Sequence, residues 1–251
     1  MSTLPARSML PRLFVDQPLA AAVDLALPTR AARHAQVLRL QPGAAVTLFD
    51  GSGGEWSAQI TAMDRRGVRV QVLEHHAQER ELPIAVTLAL AMPANDRMDA
   101  LVEKATELGV AGLQPLLTER SVLRLAGERA ERRQAHWQAI AVAACEQSGR
   151  NRVPTIHPVR PLVAWLAARA PAGDSEVRLL LGWRDASPWP PASARAGAAL
   201  TLLSGPEGGL TDSEEDLARA CDFVSTSLGP RVLRADTAPL AALAAVVLSA
   251  R

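Results

Sequence analysis

The sequence predicts an α/β domain built on a parallel sheet, preceded by a small all-β domain. Three observations carry this prediction. From Leu82 onward, short apolar runs alternate with segments of helical periodicity, the pattern of strands whose faces are covered by helices. Before about residue 78 the chain is a series of short alternating segments separated by glycine- and aspartate-rich turns, with one helical stretch among them. Near the carboxyl terminus two apolar runs stop abruptly at glycine and proline, where an open parallel sheet meets its ligands. The division that results is residues 1–78 and 79–251.

In the first part, Ala45–Phe49, Trp56–Ile60 and Val68–Val72 are the alternating segments. Asp50-Gly51-Ser52-Gly53-Gly54 and Asp64-Arg65-Arg66-Gly67 are the turns between them, and the helix is expected around Arg30 to Leu40. This spacing fits a small barrel or a sandwich. The polar stretch from His75 to Pro83 reads as a linker. Its His75-His76 pair lacks a third ligand at metal spacing, so no metal is expected.

Strands follow near 84–91, 111–117, 177–183, 199–204 and 223–228. Helices are expected at Arg97 to Leu108 and Glu128 to Ser148, the second offering Trp137, Ile140, Val142 and Cys145 to the core. Pro188-Trp189-Pro190-Pro191 is a loop. Thr211 with Glu214, and Asp212 with Glu215, both match the capping-box spacing at the start of a helix. Asp236 or Thr237 caps a last helix with Pro239 in its first turn. The apolar stretch Ala238 to Ala250 is shorter than the roughly 20 residues of a membrane span, so it reads as a buried core helix and no membrane is expected.

Composition excludes little else. Nearly half of the 251 residues are hydrophobic and the net charge is +1, so no acidic or basic excess announces a partner. The cations are nearly all arginine, Lys104 being the only lysine, a bias that genome composition explains as well as phosphate recognition does. Cys145 and Cys221 fit no metal or redox spacing and suggest reduced thiols in a cytoplasm. Arg7 and Arg12, with prolines at positions 5 and 11, break any continuous signal-peptide core.

The most specific words lie late in the chain: Leu203-Ser204-Gly205-Pro206-Glu207-Gly208-Gly209-Leu210, and Leu228-Gly229-Pro230-Arg231-Val232-Leu233-Arg234-Ala235-Asp236-Thr237-Ala238. Neither is a dinucleotide fingerprint or a phosphate loop, since no lysine follows the glycines. Together they resemble the RsmE family, SPOUT-class methyltransferases that methylate N3 of a uridine in 16S ribosomal RNA with S-adenosylmethionine. The resemblance continues through Glu103 to Val110, Thr118 to Ser121, Glu146 to Asn151 and, near the amino terminus, His34 to Gly43. It implies a PUA-like RNA-binding barrel for the first domain, and for the second an α/β domain knotted by its final helix, a feature periodicity cannot reveal.

The resemblance also implies site residues. The cofactor would be held by Leu203, Gly205, Pro206, Gly208 and Gly209, by Leu228 and Gly229, and by Val232 and Leu233, largely through backbone groups. A uridine N3 must lose its proton before it attacks a methyl group, so a base or a charge-stabilising cation should lie beside it. Glu207, Arg231, Arg234 and Asp236 are the candidates for catalysis, and which carboxylate acts stays open. Glu207 is explained as well by a helix start, and Arg234 by a phosphate anchor. Where the family commonly carries Thr-Glu after Leu-Arg, this chain has Ala235-Asp236, a carboxylate one methylene shorter.

RNA contacts are expected from Arg120, Arg124, Arg150, Asn151 and Arg152, with Arg7 and Arg12 near the barrel. Arg129, Arg132 and Arg133 read instead as a solvated helix face paired with Glu128 and Glu131. The implied partners are the 16S RNA of the small ribosomal subunit and a second copy of the chain, as a homodimer. Two further functions stay open: a non-catalytic RNA-binding or ribosome-assembly protein, which cofactor binding would separate from an enzyme, and a methyltransferase of the same fold acting on another RNA.

Overall fold

The computed structural model describes residues 10–93, 96–173, 175–189 and 199–249. Pro5, Arg7, Pro190, Pro191 and Ala250 lie outside the described residues. The chain divides into two compact units, residues 1–80 with 145–153, and residues 81–144 with 154–251.

The first unit contains β1 (Arg12–Phe14), β2 (Asp24–Ala26), α1 (Thr29–Val37), β3 (Ala45–Phe49), β4 (Glu55–Met63) and β5 (Val68–His76). They form a five-stranded sheet in the order β1-β3-β4-β5-β2, with β1 parallel to β3 and the other pairs antiparallel. Alternation places Val46, Leu48, Ala58, Ile60, Val68, Val70 and Val72 on one face, where Ala31, Ala32 and Ala35 of α1 close the core. The expected hairpins are therefore present. The Asp64 carboxylate fastens the β4–β5 turn by accepting from the amides of Arg66 and Gly67.

Two expectations shift here. Strand β5 runs on through His76, so His75 and His76 belong to the sheet and not to a linker: they pair with Trp56 and Glu55, and the His75 ring packs 4.8 Å from that of Trp56. Helix α1 stops at Val37, earlier than Leu40. Arg39 takes a left-handed φ of +54°, its amide bonds the Gln36 carbonyl, and that of Leu40 bonds the Ala35 carbonyl, the pairing that closes a helix terminus.

The second unit carries β6 (Val86–Ala91), α2 (Asp96–Glu107), β7 (Gly112–Leu117), α3 (Gly127–Ser148, whose residues from Cys145 on count with the first unit), β8 (Thr155–Ile156), β9 (Arg160–Pro161), α4 (Leu162–Ala167), β10 (Glu176–Leu181), β11 (Ser187–Pro188), β12 (Ala199–Ser204), α5 (Asp212–Ala220), β13 (Val224–Ser227) and α6 (Thr237–Ser249). Its sheet is parallel, in the order β11-β13-β10-β12-β6-β7-β8, with β9 also paired to β7. Near-continuous apolar runs such as Val86–Ala91 are what strands covered on both faces require.

Order and sequence diverge in a useful way. The chain leaves β6 toward β7 on one side, returns to lay β10 beyond a gap on the other, and only later fills that gap with β12. Such a reversal opens a crevice at the carboxyl ends of neighbouring strands. Helix α3 buries Trp137, whose indole Nε1 donates to Asp99 Oδ1 at 2.9 Å, as well as Val142 and Cys145, while Ile140 is only partly covered. On its outer face Arg132 pairs with Glu128 at 3.0 Å, as the i,i+4 spacing predicts. The last helix is not a wholly buried element as expected: Pro239, Ala242, Leu243 and Val246 face inward, but Leu248 is 69% exposed. The six-residue α4 was too short for periodicity to register.

Candidate active site

A cavity of about 810 Å³ lies at the carboxyl ends of β10, β12 and β13, within the range of small-molecule sites. Three turns build its wall. The first, after β12, is Gly205 to Leu210. A Cβ on Gly205 would come within 3.0 Å of the Leu210 amide nitrogen and 3.2 Å of the Gly209 carbonyl carbon, so any side chain would press on the turn's own backbone where it folds back. Gly209 sits at φ +70°, and its amide closes the turn on the Pro206 carbonyl at 2.8 Å.

The turn is braced from outside. Arg120 Nη1 donates to the carbonyls of Gly208 at 2.9 Å and Leu210 at 3.2 Å. Immediately beyond, Thr211 and Glu214 form the expected capping box, while the alternative Asp212–Glu215 pairing is not used. The Glu214 carboxylate accepts from the Thr211 amide at 3.0 Å and, through its other oxygen, from the Glu119 amide at 2.8 Å. One buried carboxylate thus starts α5 and ties it to the segment that carries Arg120.

The second turn runs from Leu228 to Ala235, after β13, with Gly229 at φ +107°. The start of α6 is secured by amides of Thr237 and Ala238 bonding the Arg234 carbonyl, at 2.9 and 3.1 Å. No described side-chain bond from Asp236 or Thr237 caps that helix, contrary to expectation: Asp236 Oδ1 is buried with no hydrogen-bond partner. The third turn, Gly182-Trp183-Arg184 after β10, lay hidden in a strand read two residues too long.

Of the residues expected at the site, Gly205, Pro206, Glu207, Gly208, Gly209, Leu228, Arg231, Val232, Leu233 and Arg234 line the cavity. Leu203 lies buried in the strand behind it, and neither Gly229 nor Asp236 is part of the wall. Glu207 is in the turn and not at the helix start, which falls at Asp212, so the dipole does not account for it. Its Oε1 lies 3.4 Å from Nη1 of Arg97, a wall residue contributed by α2 that the sequence did not single out. Leu180, Leu181, Leu210 and Leu228 supply apolar surface, while Glu207, Asp212, Glu215, Arg97, Arg184 and Arg231 supply charge of both signs. Apolar faces for a planar ring, backbone groups at its edge and ionic groups of both signs suit a zwitterionic nucleoside such as S-adenosylmethionine.

The residues expected to touch RNA part company. Arg12 is 6% exposed; its Nη1 donates to Glu55 Oε2 at 2.8 Å, its Nη2 to the Arg150 carbonyl and to Asn151 Oδ1, and its guanidinium lies 4.9 Å from the centre of the Phe49 ring. Asn151 is fully buried and donates to Glu55 Oε2 and to the Gln78 carbonyl; Arg150 is 3% exposed. Arg80 completes the cluster on both Glu55 oxygens. Burial alone would raise the Glu55 carboxyl, but hydrogen bonds from Arg80, Arg12 and Asn151 outweigh it and hold it down at about 2. Arg12, Arg150 and Asn151 are therefore buried, with Arg12 and Asn151 fastening Glu55, and not open to RNA as expected. Arg120, Arg124 and Arg152 are exposed; Arg124 donates to the Glu119 carbonyl and Arg152 pairs with Glu79.

Among the described residues no cluster of histidine, cysteine and carboxylates suited to a metal occurs, and no helix is long and apolar enough to cross a membrane.

Comparison with known proteins agrees with this geometry. A family described as an RNA methyltransferase domain matches residues 80–247, and one described as an RNA methyltransferase PUA domain matches residues 27–73. Ribosomal RNA small subunit methyltransferase E of Synechocystis is 40% identical over 214 residues, 84% of this chain and 68% of that protein. The protein of the same name from Bacillus subtilis is 33% identical over 218 residues, 84% of each. A crystal structure of ribosomal RNA small subunit methyltransferase E from Neisseria gonorrhoeae bound to S-adenosylmethionine superposes with a TM-score of 0.88 at 37% identity, covering 94% of this chain and 96% of that one.

Proposed function

The chain belongs to the RsmE family of RNA methyltransferases, and from that premise we propose that it transfers a methyl group from S-adenosylmethionine to N3 of a uridine in the 16S RNA of the small ribosomal subunit. The observation that carries this reading is the cavity at the ends of β10, β12 and β13, with its two glycine turns. Bound there, S-adenosylmethionine would supply a methyl group on a sulfonium, whose carbon an electron-rich nitrogen would attack in line as the carbon–sulfur bond breaks and the sulfur leaves as a neutral thioether. Everything else falls to the chain's own residues.

Gly205, Gly208 and Gly209 let the main chain approach the cofactor, and Leu228, Val232 and Leu233 cover it. Glu207 takes the N3 proton at a carboxylate oxygen, since it is the expected carboxylate that reaches the wall while Asp236 does not. Arg231 and Arg234, both exposed on the wall, hold the negative charge left on the neighbouring carbonyl oxygen. Arg120, Arg124 and Arg152 are the exposed candidates for phosphate contact. The enzyme would act in the cytoplasm as a homodimer. The dimer is supported by α6, which is apolar around its whole circumference yet buries only one side within its own chain.

The test is transfer of labelled methyl from S-adenosylmethionine to small ribosomal subunits that lack the modification, followed by nucleoside analysis. The expected product is 3-methyluridine. Cofactor binding without transfer to these subunits would move the reading to another RNA; absence of both would end it.

A further inference from the structure

Trp183 is the anomaly of the cavity wall. It lines the cavity and leaves 53% of its surface in solvent, the only aromatic among the strongly exposed large apolar residues described. Aromatic side chains are just 3% of this chain, which has no tyrosine, so the protein exposes one of its few large rings where burial would be the default.

The backbone that carries the indole is fastened on both sides. The Gly182 amide donates to the Thr226 carbonyl at 3.1 Å, and the Arg184 carbonyl accepts from Arg219 Nη2 at 3.1 Å. Arg184 is held in turn by Asp216, 3.1 Å from its Nη1. A fixed backbone with a solvent-open ring is a preorganised surface rather than a stray side chain. Arg97, Arg184 and Arg231 share the cavity wall with it. An open π-face among guanidinium groups is the combination that receives a nucleobase and its phosphate, because every base has a face to stack and every nucleotide a charge to hold.

We propose that Trp183 is the stacking platform for a nucleobase in this cavity. The inference rests on the reading of the chain as an RNA methyltransferase. The base can come from two sources, the substrate RNA or the adenine of the cofactor, and both present the same flat heteroaromatic face.

The test uses the full-length protein and its Trp183→Ala and Trp183→Phe variants, checked for folding by thermal melting and for oligomeric state by light scattering. Binding of S-adenosylmethionine is measured by calorimetry, and binding of a fluorescein-labelled oligouridylate by anisotropy. Loss of one stacked base should weaken binding about 10-fold in Trp183→Ala, while Trp183→Phe stays within about threefold because a ring remains. Weakening confined to the oligouridylate assigns the platform to RNA, and weakening confined to S-adenosylmethionine assigns it to adenine. In parallel, the quenching of indole fluorescence by the affected ligand should shrink in Trp183→Phe. Unchanged affinities in Trp183→Ala overturn the proposal, and a changed oligomeric state with unchanged affinities reassigns Trp183 to a subunit contact. Failure of the wild-type protein to bind either ligand would instead overturn the methyltransferase reading.

Discussion

Two arginine–glutamate pairs do opposite work in this molecule. In the first unit Arg12 and Glu55 lie 2.8 Å apart with side chains 5% and 16% exposed, and Asn151 and Arg80 complete the hydrogen bonding of the carboxylate. In the second unit Arg97 and Glu207 lie 3.4 Å apart with side chains 39% and 33% exposed, on the wall of a cavity. A buried, multiply bonded pair cannot trade its partner for a ligand without leaving a buried charge behind. A loose, wet pair can. The same two residue types therefore make a fastener in one place and, on the function proposed above, a base and its exposed ion-pair partner in the other, and burial separates the two settings.

The comparison can be broken by experiment, and the largest effect should come from the buried pair. Arg12→Ala leaves Glu55 buried with fewer donors and should cost about 3 kcal/mol of stability in chemical denaturation. The salt dependence of RNA binding by the folded variant should stay as in wild type; a shallower slope would return Arg12 to the RNA surface. Next comes Glu207→Gln, which removes the proposed base. Single-turnover methylation should slow about 100-fold, with stability and cofactor affinity little altered, and a wild-type rate would remove Glu207 from the chemistry.

Acid should weaken the first pair. The Glu55 carboxyl is held at about 2 in the folded protein against 4.5 for the free group, so its contribution is complete above about pH 4.5 and is lost as the pH falls toward 2. Allowing for solvent screening, about 2 kcal/mol should disappear over that window, and Glu55→Gln should flatten that part of the stability–pH curve. The smallest effect belongs to the exposed pair: Arg97→Ala should change stability by less than about 1 kcal/mol, and a larger loss on denaturation would erase the distinction drawn here.

The same contrast decides what was legible in the sequence. Strand 199–204, the strand read as 111–117 and observed one residue shorter, the capping box at Thr211 and Glu214, and the two glycine turns were readable because each depends on local patterning. The Glu146 to Asn151 word was readable as a motif but not as to its use. Its glutamate accepts the Phe14 amide at 3.0 Å and its asparagine binds Arg12 and Glu55, contacts that lie more than ninety positions apart in sequence. Arg12 and Arg124 look alike in one dimension, and only the fold buries the first. Trp183 and Arg97 were missed for related reasons. Gly182 repeats the pattern of an apolar strand ending in glycine seen at Gly205 and Gly229, a signal that was available, whereas Arg97 reaches the cavity from a helix that periodicity marks only as amphipathic. The pairing of His75 and His76 in a strand likewise depended on partners some twenty positions away.

The central claim is that the cofactor site is made of backbone at the glycine turn after β12. Calorimetric titration of S-adenosylmethionine into the wild-type protein and into Gly205→Ala tests it most directly. The wild type should bind one equivalent per chain. Gly205→Ala, which forces a methyl group against the Leu210 amide, should bind at least about 30-fold more weakly, a loss of about 2 kcal/mol. Equal affinities would place the cofactor elsewhere and contradict the account.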